Sequence, residues 1–265
     1  MKKIIIPIIC AILALTSCSE QFNAQRALNG TMLAAQAMTL SDAEIQAYVH
    51  QYVTKLDASS HIVPSGHAYT KRLQKLTSGL TQVDGIPLNF KVYQTSDVNA
   101  FACADGSVRV YTGIMDLMTD DELLGVIGHE IGHVALKHTK KQLKAAMLRA
   151  AAMEGLSSTS ELAATLTNSQ LGAIGEAMMS ARYSRKQETA ADDYGYEFLK
   201  AAGKNPWAMA MSFEKLKSIS ESGGRQSSMV NNLFSSHPDV EARIERMAAR
   251  ATQEGYTRPK TTTKK

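Results

Sequence analysis

Residues 129–133 read His-Glu-Ile-Gly-His. On an α-helix, positions i and i+4 stand one turn apart on the same face. In that conformation His129 and His133 aim two imidazoles at a single metal ion. Glu130 lies one residue further round, within reach of a proton on a water that such a metal activates. Two neutral nitrogen ligands, an adjacent base and an open coordination position are the parts of metal-assisted peptide hydrolysis. The bland alternative is two histidines satisfied within a core.

The flanks favour a helix. Asp120-Asp121-Glu122 precede an apolar-periodic run of Leu123, Leu124, Val126, Ile127, Ile131, Val134, Ala135 and Leu136. Acidic residues in the first turn suit the positive end of the helix dipole, and Thr119 or Asp120 can act as N-cap. Lys137, His138, Lys140 and Lys141 crowd the far end, as a C-terminus prefers. Gly125, Gly128 and Gly132 each cost helix stability, about 1 kcal/mol relative to Ala. Gly128 and Gly132 are four apart, a smooth strip suited to close packing.

Two histidines leave a zinc ion one protein ligand short of a catalytic site. A His-x-x-Gly-x-x-His continuation would need Gly and His where Leu136 and Thr139 stand. His138 is out of register for that role and reads as a helix-end histidine facing the dipole. The other source of a ligand is a glutamate on a second helix. Glu188 is the best candidate, in Ser184-Arg185-Lys186-Gln187-Glu188-Thr189-Ala190-Ala191-Asp192. Glu188 and Asp192 are i and i+4, so both project from one face. Glu188 can bind the metal, and Asp192 can accept the free ring N–H of a ligand histidine and fix its tautomer. The competing reading is a solvated acidic face, with Asp193 and Glu197 nearby.

These stretches resemble a known family. His-Glu-x-x-His followed by Ser-Arg-x-x-Glu-x-x-Ala-Asp is similar to the HtpX and CaaX-prenyl-protease type of gluzincin zinc metallopeptidase. Asn99-Ala100-Phe101-Ala102, then Gly106, Val108, Val110 and Gly113, match its strands before the active-site helix. His237-Pro238, followed by Arg243-Ile244, matches a late element, and the resemblance spans roughly residues 40–250. Leu40-Ser41-Asp42-Ala43, Asp97-Val98-Asn99-Ala100-Phe101 and Gly224-Arg225-Gln226-Ser227-Ser228-Met229 carry a closer likeness to small bacterial lipoprotein peptidases. The resemblance implies that His129, His133 and Glu188 bind one zinc ion and that Glu130 is the general base. It places His237 at the open side of the metal. There it either donates to the oxyanion of the reaction or fills the fourth position in a latent form. From the residues alone, His237 is equally a turn residue before a helix with Pro238 at N1.

The elements that must position these groups follow from pattern. Leu88–Tyr93 alternates apolar and polar residues as a half-buried strand does. Val98–Ala102 and Ser107–Tyr111 follow, separated by the turn signal Ala104-Asp105-Gly106. The expected fold is α+β and zincin-like, mostly helical, with a small, mainly antiparallel sheet ahead of the active-site helix. An edge strand there would pair with extended substrate, and Phe101 reads as core. Residues 141–180 carry Ala, Met and Leu at helical spacing. Glu154, Glu161, Asn168, Gln170 and Glu176 interrupt that stretch, so it reads as a helical hairpin or flap and not as a membrane span. Asn205-Pro206 starts a helix reaching about Ser220, and Gly223–Ser236 reads as a flexible loop able to gate the site.

The N-terminus reads as a targeting segment. Lys2-Lys3 precede the apolar run Ile4–Leu15, too short for a bilayer that needs about 20 helical residues. Leu15-Thr16-Ser17-Cys18 resembles a bacterial lipobox, which implies a signal peptide over 1–17 and lipid on Cys18. Ser19 favours outer-membrane sorting, facing the periplasm. Residues 18–39 read as a tether or first helix, 40–252 as the peptidase domain and 253–265 as a disordered basic tail. Cys10 leaves with the leader and Cys18 carries lipid, so Cys103 alone remains and reads as a buried structural thiol. Removing Lys2 and Lys3 from 29 basic residues leaves 27 against 25 acidic, a balance that gives no reason to invoke nucleic acid. The expected protein is a lipid-anchored zinc endopeptidase acting on misfolded or damaged envelope polypeptides. The competing class is a latent or non-proteolytic outer-membrane assembly factor or chaperone, its zinc site closed by His237.

Overall fold

Ser41 opens the first helix, accepting from the Glu44 backbone while Glu44 reaches back to the Ser41 N–H, a capping box. The computed structural model describes residues 41–154, 175 and 182–260. The leader, Cys18, the tether, the last five residues of the tail and, from the 141–180 stretch, residues 155–174 and 176–180 lie outside the described residues. Helix α1 (Asp42–Ser59) buries Ile45, Val49 and Val53, one every fourth residue. Helix α2 (Ala68–Leu76) follows, then a short antiparallel hairpin of β1 (Gln82–Val83) and β2 (Ile86–Pro87).

The second sheet has three strands, β3 (Asn89–Tyr93), β4 (Ala100–Ala102) and β5 (Ser107–Tyr111), in the order β3-β5-β4. β4 and β5 form the expected antiparallel hairpin. Its turn needs Gly106, where φ is +83° and a Cβ would sit 1.9 Å from the Pro87 carbonyl oxygen. β3 instead runs parallel to β5, a pairing the expectation of a mainly antiparallel sheet did not include. The reason is burial: Ser107 to Val110 are all buried, so β5 takes the centre, and residues 94–99 carry the chain past its end to the far edge.

The helices follow in series: α3 (Thr112–Leu117), α4 (Asp120–Ala135), α5 (His138–Glu154), α6 (Arg185–Ala201), α7 (Trp207–Glu221), α8 (Gly224–Ser236) and α9 (Val240–Gln253). Helix α4 is central and buried from Glu122 to Val134. Leu123, Ile127 and Ile131 pack with Val92, Val108 and Val110 of the sheet. Leu124 joins Leu199, Met209, Phe213 and Met247 of α6, α7 and α9 in a second cluster. Thr119 is the N-cap of α4, in a capping box with Glu122. The glycine strip packs against α6: a Cβ on Gly128 would lie 2.6 Å from Phe198 Cδ1, and one on Gly132 would lie 2.9 Å from Tyr194 Cβ.

Three local expectations are corrected. Helix α4 stops at Ala135; Lys137 takes a left-handed φ of +59°, and His138, Lys140 and Lys141 start the next helix instead of ending this one. Gly223–Ser236 is not a loop: from Gly224 it is helix α8. Val230, Leu233 and Phe234 keep a helical face against the core, while Ser235 and Ser236 donate their hydroxyls to carbonyls three residues back. Pro238 is not N1 of the last helix, because Asp239 intervenes at φ +62° and α9 begins at Val240. Helix α7 starts beside Pro206 as expected. Among the described residues no helix is long and apolar enough to cross a membrane.

Candidate active site

Helix α4 presents His129, Glu130 and His133 together, all buried. Their Nε2 atoms meet: His129 Nε2 and His133 Nε2 are 3.1 Å apart. Helix α6 crosses at the glycine strip and brings Glu188 to the same point, with Oε1 3.3 Å from His133 Nε2 and Oε2 3.7 Å from His129 Nε2. His237, the residue after α8, adds its Nδ1 at 3.1 Å from Glu188 Oε1 and 3.4 Å from His129 Nε2. One donor atom from each of these four residues lies within 4.8 Å of the others.

This donor set fits zinc. Tetrahedral coordination with zinc–nitrogen and zinc–oxygen bonds near 2.0–2.1 Å separates ligand atoms by roughly 3.3 Å, and the contacts here run from 3.1 to 3.7 Å. Two imidazoles and a carboxylate also match the borderline softness of that ion. Burial holds His133 well below its ordinary pKa, so its ring is a neutral donor. Burial works against the charge on Glu188, but His237, His133 and His129 overcome it and keep the carboxylate ionised.

The supports are as specific as the donors. Asp192, one turn beyond Glu188, takes His129 Nδ1 at 2.9 Å, the contact its spacing suggested. Arg243 from α9 donates twice to Asp192, at 2.9 and 2.7 Å, and reaches Glu188 with Nη1 at 2.5 Å. Tyr183 lays its ring on His133, centroids 3.7 Å apart and 17° from parallel. Neither role was read from the sequence. Tyr183 gives no pattern signal. Arg243 does: with Met247 and Ala251 it lies on the buried stripe of α9, and an arginine on an apolar stripe needs a buried counter-charge. His138 does not end α4 facing its dipole, as its position in the sequence suggests; it is buried at the start of α5, its Nδ1 3.0 Å from His133 Nδ1.

Glu130 stands beside the donor set, not in it. Burial raises its carboxyl above the ordinary value, opposed by His237 and His129. His237 Nε2 is 3.9 Å from Glu130 Oε1. A cleft opens here, lined by Tyr52, Phe101, Tyr183, Glu130 and His237 together with the edge strand β4. Phe101 is half-buried and edge-on to both Tyr93 and Tyr111, so it serves the core and the cleft wall together. Cys103 is buried and free, as expected.

A base held next to these convergent donors has a use in hydrolysis and none in a structural site, which puts the centre among the His-Glu-x-x-His metallopeptidases. The comparison with known proteins narrows the class: Peptidase family M48 matches residues 67–251, and the chain belongs to that family. It is 40% identical to the Metalloprotease YcaL of Escherichia coli over 251 residues, 94% of this chain and 96% of that protein. It is also 40% identical to the Metalloprotease LoiP of the same organism over 242 residues, 91% of this chain and 93% of that one. A Protease HtpX homolog of Methanopyrus kandleri is 29% identical over 213 residues, 67% of this chain and 66% of that one. The protein is a metalloendopeptidase with a mostly helical, zincin-like fold.

Proposed function

We propose that this enzyme is a zinc endopeptidase of the bacterial envelope, lipid-anchored at Cys18 and facing the periplasm, that cleaves unfolded or damaged envelope proteins. The observation that carries the zinc chemistry is the meeting of His129, His133 and Glu188, with Glu130 beside them and outside the donor set. In this reading those three residues hold the ion, which when bound supplies Lewis acidity to water and to the scissile carbonyl. Glu130 takes a proton from the attacking water and delivers it to the leaving amine. Asp192 fixes the tautomer of His129, and Arg243 fixes Asp192.

Substrate binding rests on β4. Asn99 accepts from the Tyr111 N–H and Cys103 donates to the Ser107 carbonyl, so alternation turns the backbone groups of Ala100 and Ala102 toward the open edge. An extended polypeptide pairs there through its main chain, which suits clients of varied sequence. His237 supports a second, latent form: it stands inside the donor set, and a substrate carbonyl would have to displace it.

Cleavage of casein tests the zinc reading. A chelator should abolish it, zinc should restore it, and Glu188→Ala should lose both metal and cleavage. Undiminished cleavage by metal-free protein, or full metal content in the variant, would refute it. Cys18→Ser should move the protein from the membrane to the soluble fraction; unchanged fractionation would remove the anchor.

A further inference from the structure

The two ligand histidines are supported differently. His129 rests its Nδ1 on a carboxylate, Asp192, at 2.9 Å. Among the described residues no carboxylate meets His133 at Nδ1; that atom lies 3.0 Å from Nδ1 of His138. His138 is only 6% exposed. The turn that delivers it is unusual: Lys137, a non-glycine residue, holds φ at +59° between α4 and α5. Left-handed backbone is unfavourable for a side-chain-bearing residue, and such outliers persist where the surroundings require them. Here the turn folds the chain back so that the first residue of α5 lies against the last ligand of α4.

We infer that His138 is the positioning residue for His133, its neutral ring accepting at Nδ1 the proton that His133 carries on Nδ1. This rests on the zinc reading above. If Nε2 of His133 is the ligand atom, its proton must be on Nδ1. Two nitrogens at 3.0 Å then need one donor and one acceptor, so the proton of His138 is on Nε2. Tyr183 stacked on the His133 face fixes the remaining rotation. The consequence is an asymmetric site. A carboxylate partner passes negative charge to its histidine, and a neutral imidazole passes little, so the metal keeps more Lewis acidity than two carboxylate-backed histidines would leave it.

His138→Leu removes the acceptor, while His138→Gln keeps one in Oε1. Zinc affinity, measured by competition with a chromophoric chelator, should fall about 10–100-fold in the Leu variant. The Gln variant should recover most of that loss, a rescue that a space-filling role would not give. Nitrogen NMR of zinc-loaded wild type with labelled histidines should show scalar coupling across the hydrogen bond between the two Nδ1 atoms. If the Leu variant does not fold, that coupling alone decides. Unchanged zinc affinity in the Leu variant, or no coupling in the wild type, overturns the assignment of His138 and leaves the zinc site standing. Failure of the wild type to bind zinc overturns both.

Discussion

Charge at the site is balanced residue by residue. Glu188, Asp192 and Glu130 bring three carboxylates into one buried volume, and Arg243 answers two of them directly, Glu188 and Asp192. A buried ion is costly unless paired and hydrogen-bonded. The remaining negative charge is what a divalent cation would meet. A second buried arginine, on β5 opposite Phe101, works by the same rule. Arg109 on β5 is 1% exposed and donates twice to Asp57 of α1, which also takes Lys91 and the Tyr93 hydroxyl. Burial opposes the charge of Asp57, but these partners hold its pKa at about 2, below the ordinary 3.8. A depressed carboxylate contributes stability above its unfolded pKa and loses it as pH falls through the folded value. Asp57→Ala should therefore lower the unfolding free energy at pH 7 by about 3 kcal/mol, because Arg109 stays buried without its counter-charge. The gap from wild type should narrow as pH falls from about 4 toward 2. Denaturant titrations across that range check both; a gap independent of pH would contradict the pairing.

At the scale of elements, α4 and α6 must come close enough for Glu188 to reach the histidines, and the glycines allow it. Gly132→Ala gains about 1 kcal/mol of helix propensity yet meets Tyr194 Cβ at 2.9 Å, an atom tied to backbone that cannot rotate away. Overpacking of this kind costs about 1–3 kcal/mol. Gly125→Ala meets only the Met209 Sδ at 3.1 Å and Leu199 Cδ1 at 3.3 Å, side-chain atoms able to shift. Thermal melts should show Gly132→Ala less stable than wild type and Gly125→Ala milder; the reverse order would mean the strip does not set the helix spacing. Periodicity made α4, its Thr119 cap and this strip legible in the sequence, because each depends on contacts within one turn. The four-residue spacing of Glu188 and Asp192 likewise put both on one face. What was not legible depends on context or composition. Helix α8 was masked by its Ser, Asn and Gly content, although Val230, Leu233 and Phe234 keep the period. The parallel β3–β5 pairing is a matter of which strand is buried on both sides, and Tyr183 meets His133 only through tertiary packing.

At the scale of the whole molecule, Glu188, Asp192, Arg243 and His237 close around His129 and His133 and leave the edge of β4 beside them. Helices α4, α6 and α9 and the residue after α8 each give a group to the site, so metal binding ties together segments far apart in sequence. In the proposed chemistry Glu130 does the proton transfer while His129, His133 and Glu188 hold the ion. Zinc content and casein cleavage, measured together on wild type and Glu130→Gln, separate these two roles. Both proteins should hold one equivalent of zinc, and the variant should lose at least ~10²-fold in cleavage. Cleavage at the wild-type rate by metal-loaded Glu130→Gln would contradict the proton-transfer role.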